Sequence, residues 1–413
     1  MTAALKLKKN YILLEKQSFS GGLCDTVEDN GFRFDKTGHL LHLSDNKVRK
    51  LVFELLGDRL LELKRDSRIF SKGVYTHYPF QANTHGLPLE ITAECLSGFV
   101  KAYAARGGVR VGAQTFEEFI LTNFGDGIAK HFMIPYNAKL WGVHPSEITD
   151  EWCNRFVPTP CLDEVISGAL GRPANNIGYN ASFYYPPRGI GELSSAMAAR
   201  LDNIRFGSSP SLIDVKHNRL FVDNTWLPYR ALISSLPLDQ IVNLIDKVPA
   251  KVKKAAALLW CTKLRYLDVA LRVPVGTRFH WSYVPERKYP FYRVGSYSNF
   301  SAQMVPKGKG SLYVELASRS RINLDRLMPK VISGLVEMGI IKKESDVEFV
   351  RPKLIEHAYV VYDKHYSKSK KTVMEWLEEH SIFSAGRYAR WEYAAMEDAV
   401  SQGINAANLA MRV

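Results

Sequence analysis

An acid, a glycine pair and a histidine stand near the start of the chain in an order that suits a nucleotide. Tyr11-Ile-Leu-Leu-Glu15 is an apolar run that ends in a carboxylate, followed by Gly21-Gly22-Leu23 and then by Gly31-Phe-Arg-Phe-Asp35-Lys-Thr-Gly38-His39-Leu-Leu-His42. In a dinucleotide-binding unit an acid at the end of the second strand accepts hydrogen bonds from the ribose hydroxyls, about 20 residues after a G-x-G-x-x-G turn. Met1 is too close to Glu15 for that spacing. The reading has two forms: the phosphate turn lies upstream of Met1, with Met1–Lys8 the remainder of the first helix, or the chain does without it. No convincing Ser-His-Asp or Cys-His set is present. The 11 histidines are too dispersed to nominate a general base.

The elements that must position these residues alternate along the chain. Residues 1–10 read as a helix, 11–15 as a strand and 31–42 as an extended segment with tight glycine turns. Apolar positions from about 46 to 65 recur at helical spacing. A β-type hairpin is expected near Ile69–Tyr78, and residues 88–165 look mostly helical. Strands return at 204–238, where Leu220–Tyr229 is a hairpin with an Asp-Asn turn and Ala231–Pro237 a buried strand ended by proline. Residues 264–317 alternate apolar and polar, as in an antiparallel sheet. Asp398–Met411 reads as a closing helix. Nucleotide-fold strands thus fall at the start, middle and end, which implies a discontinuous α/β domain.

The 413 residues are too many for one small core and suggest two or three domains. A hydrophobic content of 46% with 23% charged residues is ordinary for a globular chain. No apolar run is long enough to span a bilayer, and no signal-peptide pattern opens the chain. The 5 cysteines are scattered without a C-x-x-C, so neither a disulfide framework nor a metal site is indicated, and a cytoplasmic setting is expected. The net charge of +13 suits an anionic ligand such as a diphosphate. Its lysine clusters, at 6–9, 251–254 and 368–371, also read as solvated faces. No nucleic-acid-binding motif accompanies them.

Four segments, in order, carry a family likeness. They are Leu14-Glu15-Lys16 with Gly21-Gly22 and Gly38-His39; Tyr136-Asn-Ala-Lys139-Leu-Trp141-Gly142 followed by Arg155; Tyr184-Tyr185-Pro-Pro-Arg-Gly189-Ile-Gly191-Glu-Leu; and Gly386-Arg387-Tyr-Ala-Arg-Trp391-Glu-Tyr393-Ala-Ala-Met396-Glu. The chain resembles the UDP-galactopyranose mutases and, more widely, the flavin amine-oxidase and protoporphyrinogen-oxidase superfamily. The resemblance implies an α/β fold. A discontinuous Rossmann-like FAD-binding domain, truncated at its N-terminus, would comprise residues 1–45, 185–240 and 370–413. A mainly helical substrate or cap region would span 46–184, and an antiparallel-sheet substrate domain 241–369.

The resemblance also implies roles. Glu15 would hold the adenosine ribose, Gly21 and Gly22 would approach the cofactor closely, and Gly38-His39 would pass under the flavin ring. Gly386, Arg387 and Met396 would complete the FAD site. Tyr136 and Trp141 would flank a uridine base, since aromatic faces hold planar groups. Arg155 and Arg293 would meet the substrate diphosphate through paired guanidinium donors. Tyr185, Tyr359 and Tyr393 would reach the substrate, with Tyr362 in place of Tyr359 if the register slips. Arg155, Arg293 and His39 form the expected catalytic set. Against these roles stand a core Trp141, ion-paired or solvent-facing arginines, hydrogen-bonded core histidines at 39 and 42, and tyrosines that only pack. Thr37, Ala389 and Ala395 depart from the family pattern, which has glycine at the first two positions and, in bacterial-type mutases, an aspartate at the third.

The activity so implied is isomerisation of a nucleotide-sugar through a reduced-flavin N5 adduct, with NAD(P)H as a candidate electron donor. The rivals are an FAD-dependent oxidoreductase, whose site would be apolar and lack paired arginines, and a truncated non-catalytic relative. Poor FAD binding by these 413 residues is expected. A small-molecule partner, no nucleic acid and no transmembrane segment complete the expectations, with an oligomer possible and the oligomeric state left open.

Overall fold

The computed structural model describes residues 1–174, 181–320 and 322–413. Its first elements are helix Thr2–Leu7 and strand Leu13–Glu15. The strand lies parallel to Ile204–Phe206, with Glu15 opposite Phe206. A second parallel pair joins Leu232–Ser234 to Ile382–Ser384. Helix Met396–Ala410 packs on helix Thr2–Leu7, where Gly403 leaves room for Thr2. Start, middle and end of the chain therefore meet in one α/β layer, as the spacing of the strands predicts.

The second layer is a mostly antiparallel sheet. In spatial order its strands are Val347–Val360, Cys261–Leu271, Gly310–Ser318, Arg293–Ser296, Trp281–Tyr283, Ser67–Ser71 and Val74–His77. Only the join of Trp281–Tyr283 to Ser67–Ser71 is parallel. A helical part covers one end. Helix Leu89–Ala105 packs on Phe116–Ile128, whose Gly125, at φ +78°, leaves no room for a Cβ beside the Gly98 carbonyl. A wide π-type turn, Ala129–Met133, leads into helix Ile134–Trp141. Such turns place side chains differently from a regular helix. Here the Phe132 and Tyr136 rings stack at 5.1 Å.

Local chemistry accounts for most boundaries. Asp223 and Asn224, at φ +48° and +60°, form the expected two-residue hairpin turn between Val222 and Thr225. One expectation fails. The helical spacing over 46–65 continues through Leu60, Leu61 and Leu63, but the helix ends at Leu56 because Gly57 turns the backbone to φ +61°. Leu61–Lys64 is instead a strand, antiparallel to Ser182–Tyr185. Leucines two apart satisfy strand alternation as well as a helical stripe.

A buried carboxylate joins the two layers. Asp35 ends the strand Phe32–Asp35 and is 1% exposed. Its oxygens accept hydrogen bonds from the Thr26 hydroxyl (2.6 Å), the Tyr185 hydroxyl (2.6 Å) and the Ile190 amide (3.0 Å). Its carbonyl accepts from the Tyr297 hydroxyl at 2.6 Å, and Asp268 Oδ1 lies 3.2 Å from the same phenol oxygen. A phenol has one proton. The Asp35 carbonyl, at the shorter distance, takes it, and a protonated Asp268 then donates to the phenol oxygen. Burial pushes the acids up, Asp35 to about 7 and Asp268 to about 8.

A folded Asp268 keeps its proton up to about pH 8, whereas an unfolded one loses it near the ordinary carboxylate value of about 4. The stability so supported is full below about pH 4 and is lost as pH rises through about 8. Asp268→Asn keeps a donor to the phenol and removes the titration. Its melting temperature relative to the parent should therefore rise between pH 5 and pH 8.5 in scanning calorimetry. A difference that ignores pH would refute the assignment.

Candidate functional site

A cavity of about 1580 Å³ lies between the α/β layer and the antiparallel sheet. Among the described residues, strand Leu13–Glu15 pairs only with Ile204–Phe206, and Leu232–Ser234 only with Ile382–Ser384. Residues of Leu13–Glu15 and Leu232–Ser234 line this one cavity.

On the α/β side, the structure gathers the predicted nucleotide residues. Glu15, Gly21, Gly22, Gly38, His39, Gly386, Arg387 and Met396 all line the cavity. The Glu15 carboxylate accepts the Gln17 amide at 2.8 Å, which orients it at the strand end. Gly38 lies against the Tyr313 ring, so that a Cβ there would stand 2.5 Å from the hydroxyl oxygen. Tyr313 is pressed from its other side by Gly295. Thr37 occupies φ +76°, a strained place for a β-branched residue. Its amide still reaches the Asp35 carbonyl at 2.9 Å. The side chain that the family pattern replaces by glycine is therefore accommodated, at the cost of backbone strain.

His39 follows, with a buried Nδ1 that has no hydrogen-bond partner. Burial, with the Arg387 cation second, pushes its imidazole down to about 4, so the ring is neutral at physiological pH. His42 also lines the cavity and is pushed down to about 4, chiefly by burial.

The opposite wall is built of tyrosines. Tyr136, Tyr283, Tyr359, Tyr388 and Tyr393 line it, with Phe132 and Phe156 between them. Tyr359 and Tyr393 stack at 5.8 Å, and the Tyr359 hydroxyl lies 3.0 Å from that of Tyr292. Burial raises the hydroxyls of Tyr136, Tyr283 and Tyr359, so they stay protonated and can donate. Lys139 braces this wall. Its Nζ donates to the carbonyls of Val284 (2.7 Å) and Glu286 (3.1 Å), and burial pushes the amine down to about 7.

The three arginines differ. Arg293 lines the cavity, but its Nε and Nη2 grip the fully buried Glu315 at 2.5 and 2.7 Å. Arg155 sits beside the cavity rather than in its lining, with Nη1 2.7 and 2.8 Å from the Asp398 oxygens. Arg387 is of a third kind. Its Nε and Nη2 are buried with no partner, and its guanidinium lies 4.7 to 5.8 Å from the Tyr393, Tyr359 and Tyr388 ring centroids. A buried cation with unmet donors is costly unless an anion completes it.

Two expected lining residues are core. Trp141 is fully buried and packs on Trp152, Tyr359 and Tyr393, so it supports the tyrosine wall from behind. Tyr185 is fully buried and spends its hydroxyl on Asp35. Neither lines the cavity. Tyr362 does not line it either, so the register places Tyr359 there; the Tyr362 hydroxyl holds the Tyr393 amide at 2.7 Å. Sequence reasoning missed Glu315, Tyr313 and Tyr283. Glu315 was legible only through its cross-strand register with Arg293.

Residues 1–55 match the NAD(P)-binding Rossmann-like domain family. A solved structure of reduced UDP-galactopyranose mutase superposes with a TM-score of 0.93 at 26% identity, covering 100% of this chain and 93% of that one. The chain is similar to that mutase over its whole length and is an enzyme of the flavoenzyme class. More distant structures share the fold. A provisionally named protoporphyrinogen oxidase from an Exiguobacterium species has a TM-score of 0.77 at 15% identity, covering 100% of this chain and 96% of that one. An engineered putrescine oxidase has 0.69 at 12%, with the same coverages. Among the described residues no helix is long and apolar enough to cross a membrane, and no acid, histidine or cysteine cluster could hold a metal.

In this mutase-like chain Gly38→Ala should lower unfolding stability by about 1–3 kcal/mol, the usual cost of overpacking. Adding Tyr313→Phe, which removes the hydroxyl facing that Cβ, should recover part of the loss in denaturant unfolding. Simple additivity of the two changes would show that the contact does not govern the site.

Proposed function

We propose that this chain is an FAD-dependent isomerase of a nucleotide-sugar, similar in action to UDP-galactopyranose mutase. The observation that carries the reading is Arg387, a guanidinium with two buried donors left without partners, which lines a cavity large enough for a dinucleotide and a substrate together. The residues present fit FAD. Glu15 would take the ribose hydroxyls, Gly21, Gly22 and Gly38 would permit close backbone approach, and Arg387 would supply charge-assisted donors to an oxygen anion. When bound in its reduced form, with NAD(P)H as the electron donor, the flavin supplies a nucleophilic nitrogen.

The chain's own residues would bind, orient and exclude water. Tyr359 and Tyr393 would donate hydroxyls to phosphate oxygens, and Tyr136 would offer a ring face to the base. Arg293, held by Glu315, would present its remaining Nη1 from a fixed position. His39 would remain uncharged and so add no repulsion beside Arg387 and Arg293. Arg155 holds Asp398 through Nη1, from its place next to the cavity-lining Phe156, so Asp398 would compete with a diphosphate for it. A holding geometry of this kind replaces side-chain acid–base chemistry with positioning.

One observation favours the oxidoreductase reading. Two of the three guanidinium groups are already neutralised by carboxylates, so the tyrosine wall is less cationic than a diphosphate clamp requires. UDP titration separates the readings. For the isomerase, Arg293→Ala should weaken UDP binding by about ten-fold or more, in line with loss of a charge-assisted hydrogen bond. Arg155→Ala should weaken it less, since Asp398 competes for that group. UDP binding that ignores both changes, with turnover of an amine or similar reductant intact, would establish the oxidoreductase. A reconstituted protein that shows no flavin absorbance would leave a non-catalytic relative.

A further inference from the structure

Arg387 Nε and Nη2 have no acceptor among the described residues, so the guanidinium is placed by the backbone that carries it and by the tyrosine rings around it. That backbone is a tight turn. Gly386 adopts φ +97°, the Arg390 amide donates to the Gly386 carbonyl at 2.9 Å, and the Glu392 amide donates to the Arg387 carbonyl at 3.0 Å. The Gly386 amide points outward from the turn. It donates to Gln402 Oε1 at 2.9 Å, on helix Met396–Ala410.

Gln402 is itself fixed. Its Nε2 donates to Glu392 Oε1 at 3.1 Å. The same carboxylate oxygen accepts Arg390 Nε at 2.7 Å, and Glu392 Oε2 lies 3.4 Å from Lys370 Nζ on helix Tyr366–Glu379. Reversing the Gln402 amide would set its NH2 against the Gly386 N–H and its oxygen against a carboxylate. Only one orientation satisfies both ends. The links form one unbroken run, from Glu392 through Gln402 to the Gly386 amide, and the next residue is the cavity-lining Arg387.

We infer that Gln402 is a positioning residue for the Arg387 anion site. The inference rests on the reading of Arg387 as an anchor for FAD. Without Gln402 Oε1 the Gly386 amide loses its partner and the turn loses its tie to the helix whose first residue, Met396, lines the cavity. A shift of about 1 Å in an anchoring group is enough to weaken its contacts severely. The side chain also borders a second cavity of about 240 Å³, shared with Glu378, Arg390, Glu392 and Asn405. A leucine at 402 therefore has room, and its effect is not that of overpacking.

The test is a fluorescence titration of the full chain with FAD, using Arg387→Ala, Gln402→Leu, their double variant and Gln402→Glu. Gln402→Leu should weaken FAD binding by about ten-fold, the scale of one hydrogen bond that orders a charged group. The double variant should be no weaker than Arg387→Ala alone, because the second change acts through the first. Gln402→Glu supplies a readout that a merely structural role would not move. Its protonated carboxyl can accept from Gly386 and donate to Glu392, whereas the ionised form can only accept and faces the Glu392 charge. Arg390, Lys370 and Glu378 are the other charged groups around it. Its affinity relative to the parent should therefore be near one at pH 5.5 and fall at pH 8.5. Additive losses in the double variant, or a ratio that stays flat with pH, would overturn the inference. If Gln402→Leu does not fold, the pH ratio of the isosteric Gln402→Glu decides alone. An Arg387→Ala protein that binds FAD as the parent does would instead overturn the anchor reading.

Discussion

The site depends on one buried carboxylate. Asp35 holds Thr26, Tyr185 and the Ile190 amide with its side chain, and Tyr297 with its carbonyl. Those partners belong to three separate stretches of chain. Tyr297 follows the strand that carries Arg293, and Ile190 leads into the helix whose Ser194 stands against Gly21. Along the backbone Lys36 is followed by Thr37, Gly38 and His39. The two walls of the cavity are therefore referenced to the same point. A buried acid, whose two oxygens accept three hydrogen bonds, fixes the floor between them.

Electrostatics within the cavity follow from which charges have partners. Glu315 and Asp398 neutralise Arg293 and Arg155. His39 and His42 are held neutral by burial. The tyrosine hydroxyls remain protonated. Lys9, Lys16 and Arg230 also line the cavity, but Arg387 is the guanidinium that lies in an aromatic cage. Rings attract the cation weakly from their faces, which lowers the cost of keeping it buried without supplying the acceptors it lacks. Beside the tyrosine wall the uncompensated charge is that of Arg387, and the paired arginines contribute direction more than net charge.

Much of this was legible in the residues, for physical reasons. The acid after an apolar run, the glycines with positive φ and the two-residue Asp223-Asn224 turn are local signals, set by backbone sterics. They mark the nucleotide side and its hairpin. Burial was less legible. Trp141 and Tyr185 are aromatic like Tyr136 and Tyr359, and nothing in residue type separates a ring behind a wall from one in it. Ion pairing was illegible where it is long-range. Arg155 meets Asp398 across most of the chain, and Glu315 reads as one more outward acid on an alternating strand until its register with Arg293 is known. The helix expected over 46–65 failed because leucines two apart fit either period, and only Gly57 decides between them.

Tyr313 is wedged between Gly38, in the α/β layer, and Gly295, in the sheet, and touches both where a Cβ would stand. The three positions therefore cannot drift independently. A lineage that enlarges either glycine must shrink the aromatic residue in step, and one that shrinks the aromatic residue opens space beneath His39. The spacing between the two halves of the molecule is inherited as a single unit of three residues, whatever substrate the surrounding walls come to accept.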